Sequence, residues 1–77
     1  MIKAYVLGKV VPASEKRVRD TVKKINGVTS VDITFGQYDL VVSVEASDEV
    51  ELQNIVLTKI RKNPDITKTL TLIAQKI

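Results

Sequence analysis

The chain has 77 residues, a formal net charge of +3, and a composition of 44% hydrophobic and 27% charged residues, the balance of a small globular domain. It contains no Cys and no His, which removes disulfides, thiolate and imidazole metal sites, Ser-His triads and cysteine nucleophiles. A core of this size is only marginally sufficient, so association is the remaining common source of extra stability.

Ile2 to Val11 is rich in β-branched residues and bounded by Pro12, which predicts a strand. Apolar runs are too short for a membrane span. Lys3 and Lys9 within this pattern, with no small-residue cleavage site after it, speak against a secretion signal. A cytoplasmic protein without membrane contact is expected. Ser14 is placed to cap a helix running to about Ile25, with Val18, Val22 and Ile25 on one face. Asn26-Gly27 stops that helix. Val28 to Phe35 alternates, with Val31, Ile33 and Phe35 on one side and Asp32 and Thr34 on the other. Gly36-Gln37-Tyr38-Asp39 is the tight connection to a strand over Leu40 to Val44. Asp48 followed by Glu51 has the form of a capping box, opening a helix with an apolar stripe of Leu52, Ile55, Val56 and Ile60. Asn63-Pro64-Asp65 ends it. The last strand, Ile66 to Ala74, sets Ile66, Leu70, Leu72 and Ala74 against Thr67, Thr69 and Thr71.

The order strand, helix, strand, strand, helix, strand describes an α+β fold of the ferredoxin-like βαββαβ kind over residues 1–77. Ala13-Ser14-Glu15 and Ala46-Ser47-Asp48 open the two helices alike, a faint internal echo. Right-handed crossovers put both helices on one face of a four-stranded antiparallel sheet, with the first and third strands central. The uncovered face of a monomer should then be polar. Instead both parities are apolar. Val6 and Val10 stand against Tyr5, Leu7 and Val11; Leu40, Val42 and Val44 stand against Val41; and Ile73 sits beside the last strand's threonines. Whichever parity meets the helices, several large apolar groups remain outside. Each is worth roughly 1.5–3 kcal/mol when fully buried, so self-association is expected.

No catalytic constellation is present, and no P-loop or GxGxxG stretch occurs. Neither an enzyme nor a cofactor is expected. Asp48, Glu49 and Glu51 occupy the first turn of a helix, where the dipole favours negative charge. The first helix carries Lys16, Arg17, Arg19, Lys23 and Lys24 against Glu15 and Asp20, which a solvated helix face explains. Tyr5, Phe35 and Tyr38 are the aromatic residues, and no stacking pair of the RNA-reading kind is found. Specific DNA binding is not expected. The turn at Gly36-Gln37-Tyr38-Asp39 admits two accounts. Its exposed N–H groups and the Asp39 carboxylate suit a zwitterion such as a free amino acid. A plain hairpin turn, with Asp39 bonded to local backbone, explains the same residues and is preferred on chemistry alone.

Gly36-x-Tyr38-Asp39-Leu40-Val41-Val42, an acid-capped helix, and Asn63-Pro64-Asp65-Ile66-Thr67-Lys68-Thr69-Leu70-Thr71 follow one another in order. Together they resemble the effector domain of the Lrp/AsnC regulators, the RAM (regulation of amino acid metabolism) domain, over essentially the whole chain from Ala4-Tyr5-Val6-Leu7 onward. Where that family usually has Pro-Gly-Val, this chain has Pro64-Asp65-Ile66. Full-length members carry a helix-turn-helix domain ahead of this module, whereas this sequence begins at the first strand and resembles the stand-alone form. The resemblance implies a dimer formed by sheet-face packing, rings of dimers, and a free amino acid bound between dimers. Carried over by position, the ligand-binding residues are Gly36, Gln37, Tyr38 and Asp39, with Thr69 and Thr71. It also implies mixed assembly with full-length Lrp/AsnC regulators and a role in transcription regulation. An ACT-like regulatory domain shares the element order, but its usual Pro-Gly after the first strand is Pro12-Ala13 here. A purely structural assembly module is the other alternative.

Overall fold

The computed structural model describes residues 1–74. Strand β1 (Ile2–Val10) leads to helix α1 (Glu15–Val22), then β2 (Val28–Ile33) and β3 (Leu40–Ala46). Helix α2 (Glu49–Asn54) runs without a break into a π-helical stretch, Ile55–Ile60, and β4 (Ile66–Ile73) follows. All strand pairs are antiparallel and the sheet order is β2-β3-β1-β4, so β1 and β3 are central. This is the ferredoxin-like arrangement.

Strand alternation assigns each side chain to a face. Ala4, Val6 and Val10 of β1 and Leu40, Val42, Val44 and Ala46 of β3 are buried against the helices. Val18 and Val22 of α1 meet them, as do Leu52 of α2 and Ile55, Val56 and Ile60 of the π stretch. Arg61 N–H reaches back five residues to the Val56 carbonyl at 2.9 Å, the wide turn of a π-helix. Ile55, Val56 and Ile60 all stay on the buried side.

The other parity faces away from the helices. Leu7 lies opposite both Val41 and Leu70, and Tyr5 lies opposite Ser43 and Leu72. Leu70 and Leu72 are 44% and 48% exposed, so the centre of the uncovered face is apolar. Charged rows bound it, with Lys3 opposite Glu45 at one end and Lys9 opposite Lys68 at the other.

Several sequence expectations change in detail. Ser14 stands at the start of α1, but its buried hydroxyl donates to the Val11 carbonyl instead of capping the helix. Only its own carbonyl serves the helix, accepting Val18 N–H at 2.9 Å. The helix ends at Val22 and Lys24 and Ile25 close tighter three-residue turns, bonding to Thr21 and Val22; Ile25 still packs on the core. Phe35 leaves the strand pattern and is fully exposed. In β4, Ile66 pairs with Val10 while Lys68 pairs with Lys9. Thr67 is therefore an extra residue, a bulge that turns Ile66 toward the core and leaves Leu70 and Leu72 on the open face. The even positions of β4 do not share one side.

The caps of the second helix follow expectation. Asp48 Oδ1 accepts Glu51 N–H at 2.8 Å, and Glu51 reaches back to the Ser47 hydroxyl at 2.8 Å and its N–H at 3.4 Å. The stretch Asn63-Pro64-Asp65 closes without a glycine, since among the described non-glycine residues only Ala13 has positive φ, at 71°. Asp65 instead ties the turn to its surroundings. Its carbonyl accepts Val11 N–H at 2.8 Å and its carboxylate accepts Arg17 Nε at 3.0 Å.

Candidate functional site

The connection between β2 and β3 is held by bonds that sequence alone does not disclose. Thr34 N–H donates to the Asp39 carbonyl at 2.8 Å, and the Thr34 hydroxyl donates to the Tyr38 carbonyl at 2.8 Å. Asp39 N–H donates to the Gly8 carbonyl at 2.8 Å, while Asp39 Oδ2 accepts Val10 N–H at 3.0 Å. A side-chain carboxylate thus takes the place of the next ladder carbonyl and fixes the loop to the end of β1. Oδ2 is engaged; Oδ1 makes no bond within the described residues. Gly36 has φ 124°, a conformation that favours glycine, and a Cβ there would meet nothing within 4 Å. Neither Gly36 nor Gln37 N–H donates to another group among the described residues, so both are open to an acceptor.

Of the six residues predicted from the sequence, four fall into three separate cavities, and Gly36 and Thr71 line none of them. Asp39 lines a cavity of about 360 Å³ with Val10, Pro12, Ala13, Glu15 and Phe35. Its walls are mainly apolar and its two carboxylates, Asp39 and Glu15, suit an ammonium group. Gln37 and Tyr38 line a separate cavity of about 260 Å³ with Lys9 and Lys68. Thr69 borders a third, of about 220 Å³, with Arg61, Ile66, Thr67 and Lys68. Thr69 pairs with Gly8, the residue whose carbonyl holds Asp39 N–H, so only β1 separates it from the loop. Thr71 pairs with Val6 on the helix side, at the sheet edge, and lines none of these cavities. One chain therefore holds Gly36 to Asp39 in one loop, but it divides Asp39 from Gln37 and Tyr38 between two cavities and brings neither Thr69 nor Thr71 into either.

Thr34, Glu15, Lys9 and Lys68 were not marked by the sequence. Thr34 had a local signal, a hydroxyl placed before a turn. The lysines had none, because only the β1–β4 register puts them together. Among the described residues, no group of three or more His, Cys, Asp or Glu is gathered to hold a metal, and no helix is long and apolar enough to cross a membrane.

The family model described as the Lrp/AsnC ligand binding domain matches residues 3–77. An HTH-type transcriptional regulator of Pyrococcus furiosus is 32% identical over 74 residues, 92% of this chain and 49% of that protein. A regulator of Pyrococcus abyssi matches to the same extent. The chain thus spans about half the length of the curated relatives it matches. Among solved structures, FFRP-DM1 superposes with a TM-score of 0.93 at 32% identity, covering 97% of this chain and 100% of that one. The Neisseria meningitidis transcriptional regulator NMB0573, solved as a complex with L-Met, gives 0.85 at 17% identity, covering 97% of this chain and 50% of that one. At that identity the likeness is one of fold.

Proposed function

From the premise that this chain belongs to the Lrp/AsnC ligand-binding-domain family, we propose that it is an amino-acid-responsive assembly module acting in transcription regulation. It works by binding and self-association in the cytoplasm and not by catalysis. The observation that carries this reading is the uncovered sheet face, where Tyr5, Leu7, Val41, Leu70 and Leu72 form an apolar centre between two charged rows. An apolar centre with a polar rim is the anatomy of a protein interface, and a second copy of the chain is the partner that satisfies it. Dimers then join through the Gly36–Asp39 loops, where Thr69 and Thr71 of a neighbouring copy complete a site that one chain leaves divided.

In that site the effector is a free amino acid. Asp39 holds its ammonium through Oδ1, and the free N–H groups of Gly36 and Gln37 hold its carboxylate. The L-Met bound to the Neisseria fold relative supports this class of ligand. Mixed assembly with full-length Lrp/AsnC regulators would carry the signal to DNA. Light scattering together with a thermal-shift screen against the free amino acids tests the proposal. A dimer or larger particle is expected, with at least one amino acid raising the melting temperature by mass action. A stable monomer removes the assembly reading, and no response to any amino acid removes the effector reading. A structural assembly module would then remain.

A further inference from the structure

The two ends of the open sheet face are charged differently. At one end Lys3 lies directly opposite Glu45, residues of opposite charge that form no ion pair within 4.0 Å, and Lys3 also stands over the Tyr5 ring at 5.5 Å. At the other end Lys9 lies directly opposite Lys68. Side chains opposed in this way have Cβ atoms roughly 5 Å apart, and like charges so placed repel. Among the described residues the ion pairs are Arg17–Asp65 and Arg19–Asp20, so no carboxylate lies within 4.0 Å of either lysine. Both lysines line the cavity of about 260 Å³, and its other lining residues are Gln37 and Tyr38, whose side chains carry donor groups.

We infer that Lys9 and Lys68, with Gln37 and Tyr38 of the loop that also serves the proposed amino-acid site, bind the oxyanion of a small acidic molecule in a cavity separate from that of Asp39. A carboxylate or phosphate between the ammonium groups relieves their repulsion and accepts from the amide and the phenol. The cavity is a shallow, open depression whose volume fits a metabolite-sized ligand. A nucleic-acid backbone laid across this face would instead meet Asp32 and Glu45 on the same surface. The site lies at the rim of the apolar centre, so its occupancy neutralises charge beside the surface proposed for assembly.

Calorimetric titration of the 77-residue chain with L-glutamate, its neutral counterpart L-glutamine, succinate and inorganic phosphate tests the inference. Glutamate and succinate are expected to bind at least about ten-fold more tightly than glutamine. Lys9→Gln and Lys68→Gln should each weaken that binding by about 5- to 30-fold with the circular dichroism spectrum unchanged. Affinity should also fall as salt rises from about 0.05 M to about 0.3 M. Phosphate matching succinate would assign the site to oxyanions in general; phosphate binding much more tightly would assign it to phosphorylated molecules. Both support the inference. Equal affinity for glutamate and glutamine, no effect of Lys68→Gln, or no binding of any probe overturns it. So does binding of duplex DNA through these lysines when no small probe binds. The Asp39 variants separate this site from the amino-acid site: Asp39→Asn should leave succinate binding unchanged, and a screen in which no neutral amino acid responds does not touch the succinate result.

Discussion

Gly27 shows how much one residue can fix. Its φ is 102°, and an added Cβ would lie 2.7 Å from Ile55 Cδ1 and 3.2 Å from the Glu45 carbonyl oxygen. The same residue accepts Glu45 N–H at 2.8 Å, so it cannot retreat without opening the start of the β2–β3 pairing. Gly27→Ala is expected to cost about 1–3 kcal/mol, a fall in melting temperature of roughly 5–15 °C that a thermal melt would read. Gly36 has free space around it, so Gly36→Ala should cost only the backbone penalty of about 1–2 kcal/mol. Asp39 separates structure from recognition. Asp39→Ala leaves Val10 N–H without its acceptor and should lose about 1–3 kcal/mol, while Asp39→Asn keeps an oxygen there and should melt closer to the wild type. Both remove the charge offered to an ammonium group, so amino-acid affinity measured by calorimetry should fall by about ten-fold or more in each. A neutral variant with undiminished affinity would remove Asp39 as the anchor.

At the scale of elements, the two helix starts carry the same sequence echo and behave differently. Asp48 accepts Glu51 N–H while Ser47 bonds Glu51, and Asp48→Ala should cost about 1 kcal/mol in urea denaturation. Ser14 is equally suitable by residue type, but it is buried and its hydroxyl turns back to Val11. The second cap was legible because all its partners lie within a few residues on the surface. The first was not, because packing of the β1–α1 turn decided where the hydroxyl points. Strand β4 teaches the same lesson. Its alternation read as a regular period, yet the Thr67 bulge splits Ile66 from Leu70 and Leu72. A bulge needs both strands to be defined, and one strand's sequence does not disclose it.

For the whole molecule, the face on which Leu7 and Val41 lie decides what their substitution does. Both point away from the helices, so Leu7→Asp and Leu70→Asp should retain the fold and abolish association, read as a lower mass by light scattering. Val42→Asp, on the buried face, should unfold the chain by circular dichroism, because a charge buried without a partner is not tolerated in a small core. A Leu7→Asp variant that stays associated would move the interface elsewhere. Sequence-specific DNA binding by these 77 residues is not expected, since the basic face of α1 is balanced by acids, Arg17 pairing with Asp65 and Arg19 with Asp20, and α1 is followed by a strand and not by the second helix of a helix-turn-helix. A specific mobility shift that survives competitor DNA at physiological salt would contradict this.

The sequence by itself determined the element order, the central place of β1 and β3, and the excess of apolar groups beyond what two helices can cover. Periodicity, caps and turn residues act over a few positions, and crossover handedness does the rest. It also located the Gly36–Asp39 turn as a unit, since Gly36 and the flanking alternation are local signals. Tertiary structure alone decided which parity faces the helices, that Asp39 is spent partly on Val10, that Thr69 and Thr71 stand apart from the loop, and that Lys9 meets Lys68. Each of these depends on register between strands distant in the chain, and a shift of one residue reverses every side chain. Register is set by the summed packing of both faces, which no short segment contains.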